Sequence, residues 1–212
     1  MRILLTDAGK RYNREWIFRH FNYEFVPGRT YAITGPNGSG KSTLLQVISG
    51  SIMVNEGQVS FFNGQQAVVP EMQFREVSIC APYLEVIEEM SAHEFLSFHS
   101  SFKPFLNGLT PAEIISKVQL DHAVDKQIRN YSSGMKQRIK MAQAFFTETP
   151  VVLLDEPCTN LDAEGIALYL QLIKENMQDR LLIISSNDPV EYEFCNDIIP
   201  VSQFKMLSPA GN

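Results

Sequence analysis

The stretch Gly35-Pro36-Asn37-Gly38-Ser39-Gly40-Lys41-Ser42-Thr43 carries the residue types that hold a phosphate chain. It meets the pattern G-x-x-x-x-G-K-[ST] at every fixed position. Glycines at 35, 38 and 40 let successive backbone N–H groups crowd around phosphate oxygens. A helix starting behind them adds its unpaired donors and its dipole. Lys41 supplies a point charge for the β- and γ-phosphates, and Ser42 a hydroxyl for Mg²⁺. The plain alternative is a glycine-rich turn between a strand and a helix. Context argues against it, because the apolar run Tyr31 to Thr34 leads in and Leu44-Leu45-Gln46-Val47-Ile48 leads out as the first turns of a helix. The stretch predicts binding of a nucleoside triphosphate.

Two further groups belong with it. Val151-Val152-Leu153-Leu154 has the pattern of a strand buried on both faces, and it ends in Asp155-Glu156. Open α/β sheets place their ligands at the carboxyl ends of such strands. Asp155 is suited to hold Mg²⁺, directly or through water, opposite Ser42. Glu156 is suited to polarise a water against the γ-phosphate. Acidic residues after one apolar strand are common, and only beside the phosphate loop do they make a site. Leu181-Leu182-Ile183-Ile184 ends in Ser185-Ser186-Asn187-Asp188, a polar cluster aimed at the same crevice. Tyr12, after Lys10-Arg11, is either an ordinary strand-edge aromatic or a platform for a base.

The elements that must position these groups follow in order. Strands are expected at Arg2 to Thr6, Trp16 to Phe21 and Tyr31 to Thr34, with a turn at Pro27-Gly28. Gly57 to Phe62 alternates as another strand ending at Asn63-Gly64, and Val77 to Ala81 is a short apolar strand closed by Pro82. Residues 84–147 then read as helical. Ser91 caps a segment with Phe95, Leu96, Phe98, His99 and Phe102 on a helical repeat, which Pro104 breaks. Thr110 caps a helix with Pro111 at its first position. For most of that aromatic stripe core packing is the expected role. Asp162 begins a helix over Ala163 to Met177, and Asp197 to Val201 reads as an edge strand before a short tail.

Length and charge set bounds. At 212 residues the chain suits one large α/β domain with an inserted subdomain. Its 18 basic and 24 acidic residues, net charge −6, argue against a broad nucleic-acid footprint. Cys80, Cys158 and Cys195 lack metal-ligand spacing and read as reduced thiols of a cytosolic protein. No segment approaches the ~20 apolar residues of a membrane span, so a membrane role must come through a partner.

Taken together the motifs resemble the ATP-binding subunit of ABC transporters over essentially the whole chain. GPNGSGKST is that family's preferred phosphate loop, and YSSGMKQR at 131–138 is similar to its signature, normally L-S-G-G-Q. VVLLDEP at 151–157 follows after a short helix, and Asn160-Leu161-Asp162 resembles the family's next loop. The resemblance implies an ATPase fold with a RecA-like core, an N-terminal antiparallel β subdomain and an inserted helical subdomain at about 84–147. It implies MgATP as ligand, with Tyr12 on the adenine and residues 35–43 on the phosphates. Ser132 and Gly134, at the start of a helix running to about Phe146, would touch a γ-phosphate held by a second copy or a paired subunit. A separate integral-membrane subunit would be driven by closure of that dimer. The expected place is the cytoplasm, at the inner face of the cell membrane.

Departures from the pattern matter as much. Ser133 replaces the signature's first glycine and Met135 its glutamine. Pro82-Tyr83 stands where the family has a glutamine after the strand at 77–81. Asn187 stands at the position of the switch histidine, and an amide donates a hydrogen bond but takes up no proton near neutral pH. A slow ATPase with Glu156 as base and Asn187 as donor is expected, the alternative being a binding-driven dimer with little hydrolysis. A soluble ABC-type ATPase acting without a transporter is a rival of another class. A P-loop kinase is a second, and it leaves YSSGMKQR and TNLD unexplained. The short single domain and the SSGMKQR variant favour an export-type, haem-exporter-like subunit.

Overall fold

The computed structural model describes residues 1–177 and 179–204. In chain order they form β1 (Arg2–Tyr12), β2 (Glu15–Phe25), β3 (Thr30–Thr34), α1 (Lys41–Ile48), β4 (Glu56–Asn63), β5 (Gln66–Val68) and α2 (Pro70–Gln73). There follow β6 (Val77–Cys80), α3 (Ala92–Ser100), α4 (Pro111–Lys117), α5 (Ser133–Phe146), β7 (Val151–Asp155) and α6 (Ala163–Asn176). The last elements are β8 (Leu181–Ser185), α7 (Pro189–Tyr192) and β9 (Asp197–Pro200). The tail expected after β9 lies, from residue 205, outside the described residues.

One sheet is antiparallel, in the order β2-β1-β4-β5. Its first two strands run past the expected ends at Thr6 and Phe21. Asp7 and His20, both with positive φ, sit at neighbouring breaks in the ladder, Asp7 where the register skips from Leu5 to Ala8 and His20 where it skips from Phe21 to Phe18. Asp7 Oδ1 and His20 Nδ1 lie 2.7 Å apart across them. The strands bulge there rather than end, and the ladder resumes to Tyr12. The three-residue β5 and the one-turn α2 gave no periodic signal.

The second sheet is parallel, in the order β6-β7-β8-β3-β9, so β9 is an edge strand as expected. Every residue of β7 and β8 is buried, which explains their unbroken apolar runs. Alternation sorts their side chains into two cores. Val151, Leu153, Leu181 and Ile183 pack with the antiparallel sheet and α1. Val152, Leu154, Leu182 and Ile184 pack with α3 to α6. Three neighbouring strands also end level, since Asp155 pairs with Ser185 and Ser185 with Ile33. Their continuations are Glu156, the Asn187 segment and the phosphate loop.

Both helix starts read from sequence are capping boxes, Ser91 with Glu94 and Thr110 with Glu113. The aromatic stripe divides. Phe95 and Leu96 are buried, whereas Phe98 and Phe102 are exposed and pack edge-on at 5.1 Å. His99 bridges Thr147 Oγ1 at 2.8 Å and the Gln143 amide at 2.9 Å, and burial pulls its pKa down to about 4. Arg180 is buried behind α5, donating to the carbonyls of Phe145, Thr147 and Thr149. Among the described residues no helix is long and apolar enough to cross a membrane.

Candidate functional site

The phosphate loop starts where β3 ends and closes on α1. Lys41, at the first position of α1, is buried, and its Nζ donates to Gly35 O at 3.0 Å. The Ser39 amide donates to Pro36 O at 3.0 Å, so Gly35, Pro36 and Ser39 form the back of the loop. Its front is a cleft of about 280 Å³ lined by Asn37, Gly38, Gly40, Lys41, Ser42, Thr43, Ile17 and Glu156. Gly40 is the tightest point. Its φ is 102°, and a Cβ there would stand 2.2 Å from Ile17 Cγ2.

Ile17 was not singled out from sequence. It brings β2 onto the loop. Tyr12 pairs with Glu15 across the hairpin, two residues before Ile17 on β2, where the register shifts. Its ring is half exposed, with the Lys10 ammonium 5.2 Å from its centroid.

At the end of β7, Asp155 is 2% exposed and its Oδ1 has no hydrogen-bond partner. Ser39 Oγ and Ser185 Oγ are likewise buried and unpartnered. A buried carboxylate oxygen without a donor is costly unless a cation meets it. This donor set suits a hard divalent ion bridging to phosphate oxygens. Glu156 has φ 44°, a conformation L-residues rarely hold, and its amide is tied to Ser185 O at 2.9 Å. Strain at that residue turns the chain sharply, and the Glu156 side chain lines both the phosphate-loop cleft and a second cleft of about 400 Å³. Asn187 enters that second cleft, with its Nδ2 donating to Asn37 Oδ1 at 2.6 Å. Thus the three strand ends bring the front of the phosphate loop, Glu156 and Asn187 to two adjoining clefts that share Asn37 and Glu156, with Asp155 buried next to Glu156 in the chain.

A model of the ABC transporter family matches residues 18–159. The chain belongs to the ABC transporter family. An uncharacterised ABC transporter ATP-binding protein of Bacillus subtilis is 29% identical over 87% of this chain and 85% of its own length. A cytochrome c biogenesis ATP-binding export protein of Xylella fastidiosa is 32% identical over 72% of this chain and 68% of its own. In three dimensions the chain is similar to a putative ABC transporter ATP-binding protein of Pyrococcus furiosus, with TM-score 0.80 and 21% identity, covering 97% of this chain and all of that one. That last likeness speaks to the fold, an ABC ATPase fold of mixed α/β type. The function that comes with the family is that of an ATP-binding subunit of a transporter.

The stretch that resembles the family's signature, residues 131–138, lies apart from the phosphate-loop cleft. Ser132 is the N-cap of α5, its Oγ accepting the Met135 amide at 3.2 Å. That bond uses a lone pair and leaves the O–H to donate outward, and the amides of Ser133 and Gly134 face the same way as first-turn donors. Ser132 and Gly134 line a third cleft, of about 520 Å³, which shares no lining residue with the phosphate-loop cleft. A Cβ on Gly134 would meet Asn160 O at 3.1 Å, so its bareness lets the 156–162 loop lie close against α5. Gln137 Nε2 donates to Pro157 O at 2.7 Å, and Arg138 Nη2 stands 3.5 Å from Asp162 Oδ1. The signature helix is thereby fastened to the chain that leaves Glu156.

Two departures also have a physical setting. Met135, in place of glutamine, packs its side chain against the helical core. At the Pro82-Tyr83 position, burial raises the Tyr83 phenol to about 12, tempered by the Gln46 side chain of α1 and reinforced by the charge of Asp155.

Proposed function

We propose that this chain is the motor subunit of an ABC transporter, hydrolysing MgATP between two protomers and driving a separate membrane subunit. The observation that carries this reading is the separation of the two half-sites. One protomer offers a phosphate loop with Glu156 in one cleft and a donor-rich helix tip in another; these two clefts share no lining residue, and the adjoining cleft of Glu156 and Asn187 shares Leu161 alone with the helix-tip cleft. Head-to-tail pairing would put the Ser132 tip of one protomer on the γ-phosphate held by the other.

In that arrangement Tyr12 stacks the adenine, and the amides of residues 35–43 with Lys41 hold the phosphates. Ser42 and Asp155 would hold Mg²⁺, which supplies positive charge to neutralise the transferring phosphoryl group. Glu156 accepts a proton from the attacking water as its oxygen bonds to phosphorus and the bond to ADP breaks. The Asn187 amide, given to Asn37 in this structure, is a donor for a γ-phosphate oxygen. Loss of the γ-phosphate removes the contact bridging the protomers, and the pair opens. The exposed aromatic and aliphatic surface of Tyr83, Leu84, Ile87, Phe98 and Phe102 is where the membrane subunit docks, placing the chain at the cytoplasmic face of its membrane. Export is the direction suggested by the Xylella relative, whose name describes an export protein.

The test is the oligomeric state of Glu156→Gln by light scattering. A dimer at saturating MgATP and a monomer without it is expected, and a monomer in both refutes the reading. A dimer that closes with little hydrolysis is the second reading, favoured by the non-titrating Asn187. Phosphate release from the chain assembled with its membrane partner separates the two.

A further inference from the structure

The turn after the switch position leads into α7, and its third residue, Glu191, is a buried acid with no cationic partner. It is 4% exposed. One carboxyl oxygen, Oε1, accepts the Cys158 amide at 2.6 Å, whereas Oε2 is buried without a well-formed hydrogen bond, the neutral Ser186 hydroxyl being the donor near the carboxyl. Glu191 lines the same cleft as Glu156 and Asn187, and no lysine or arginine lines it. The groups facing Glu191 are all anionic or neutral. Asp188 stands at the start of α7, and Glu156 and Cys158 come from the loop after β7. From α6 comes the Tyr169 phenol, which donates to the Glu191 backbone carbonyl at 2.7 Å. Ser186 adds a hydroxyl. An unpartnered buried oxygen is far less costly as part of a neutral acid than as half of a carboxylate. Burial first, then Asp188 and Glu156, hold this carboxyl above the ordinary range, partly offset by Ser186 and the Cys158 amide.

Resting on the ATPase reading above, we propose that Glu191 is a positioning residue for hydrolysis that works as the neutral acid. Through Cys158 it fixes the loop that leaves Glu156, and in neutral form it keeps a further negative charge out of a cleft that must admit a γ-phosphate. Its ionisation repels the phosphate and loosens the site. It supplies a proton-dependent group four residues after an asparagine that has none. The nucleotide, itself anionic, strengthens the preference for the neutral form.

The experiment is the pH profile of ATP turnover for the chain assembled with its membrane partner, comparing wild type, Glu191→Gln and Glu191→Ala. Wild-type turnover should fall as pH rises through a single ionisation. Glutamine, permanently neutral and of the same shape, should stay within about fivefold of the wild type's best rate and carry that fall at least about one pH unit higher. Alanine, which frees the Cys158 amide, should lose about tenfold or more at every pH. Superimposable wild-type and glutamine profiles overturn the proposal, as does a glutamine variant that is about tenfold slower throughout. If alanine fails to fold, the glutamine profile decides alone. A wild type that binds ATP but never turns it over at any pH defeats the ATPase reading itself, and this proposal with it.

Discussion

The contact between Ile17 and Gly40 makes a quantitative test of the phosphate loop. In Gly40→Ala the new Cβ inherits φ 102°, outside the regions L-residues occupy easily, and it is built 2.2 Å from Ile17 Cγ2. The dihedral alone costs about 1–2 kcal/mol. The overlap forces Ile17 or the loop to move by roughly an ångström, adding about 1–2 kcal/mol more. The total, about 2–4 kcal/mol, falls on the loop and weakens nucleotide binding about 30- to 1000-fold at ~1.4 kcal/mol per decade. Adding Ile17→Ala removes the overlapping atom but not the dihedral. The double variant should recover to within about 5- to 30-fold of wild type. Titration of a fluorescent ATP analogue, with melting temperatures as a fold control, reads both numbers. A single variant within about threefold of wild type, or a double variant no better than the single, refutes the packing of β2 on the loop.

Four other outcomes follow from geometry already described. Glu156→Gln keeps ATP affinity within about threefold while lowering steady-state turnover about 100-fold or more, measured by phosphate release. Gly134→Ala leaves the melting temperature of the isolated chain nearly unchanged, because helix propensity offsets the 3.1 Å approach to Asn160 O, yet slows hydrolysis about tenfold. Arg180→Met exposes three buried carbonyls at about 1–3 kcal/mol each and recovers the burial cost that lowers the guanidinium to about 10. Net destabilisation of about 2–4 kcal/mol in urea unfolding is expected, and a more stable variant would reverse that balance. His99 has its folded pKa lowered to about 4 from an unfolded value near 6.5, so the unfolded chain binds more protons between them. Its contribution is complete above about pH 6.5 and is lost as pH falls toward 4, on the order of 1–3 kcal/mol after screening. Unfolding of wild type and His99→Gln at pH 4.5 and 7 measures it.

Much of the architecture was legible because local chemistry announces it. Ser91 and Thr110 are caps by composition, Pro111 is a first-turn residue, and the apolar runs of β7 and β8 can only be two-sided strands. The phosphate loop is legible because every chemical role sits within one short stretch. What stayed hidden depends on partners distant in sequence. The continuation of β1 past Thr6 depends on the Asp7–His20 contact across the ladder, which joins residues 13 apart in sequence. Ile17 has no pattern of its own and matters because Gly40 lies under it. Arg180 and Glu191 belong to no motif in the sequence, and only the assembled core shows them buried.

The parity of the central strands has a consequence for how this chain tolerates change. A slip of the whole of β7 by one residue would turn Val152 and Leu154 toward the antiparallel sheet and send Val151 and Leu153 the other way. It would also draw Asp155 out of line with Ser185 and reverse the direction of its carboxylate. Length variation among natural or engineered versions should therefore gather in the loops, and the five-residue frames of β7 and β8 should stay intact.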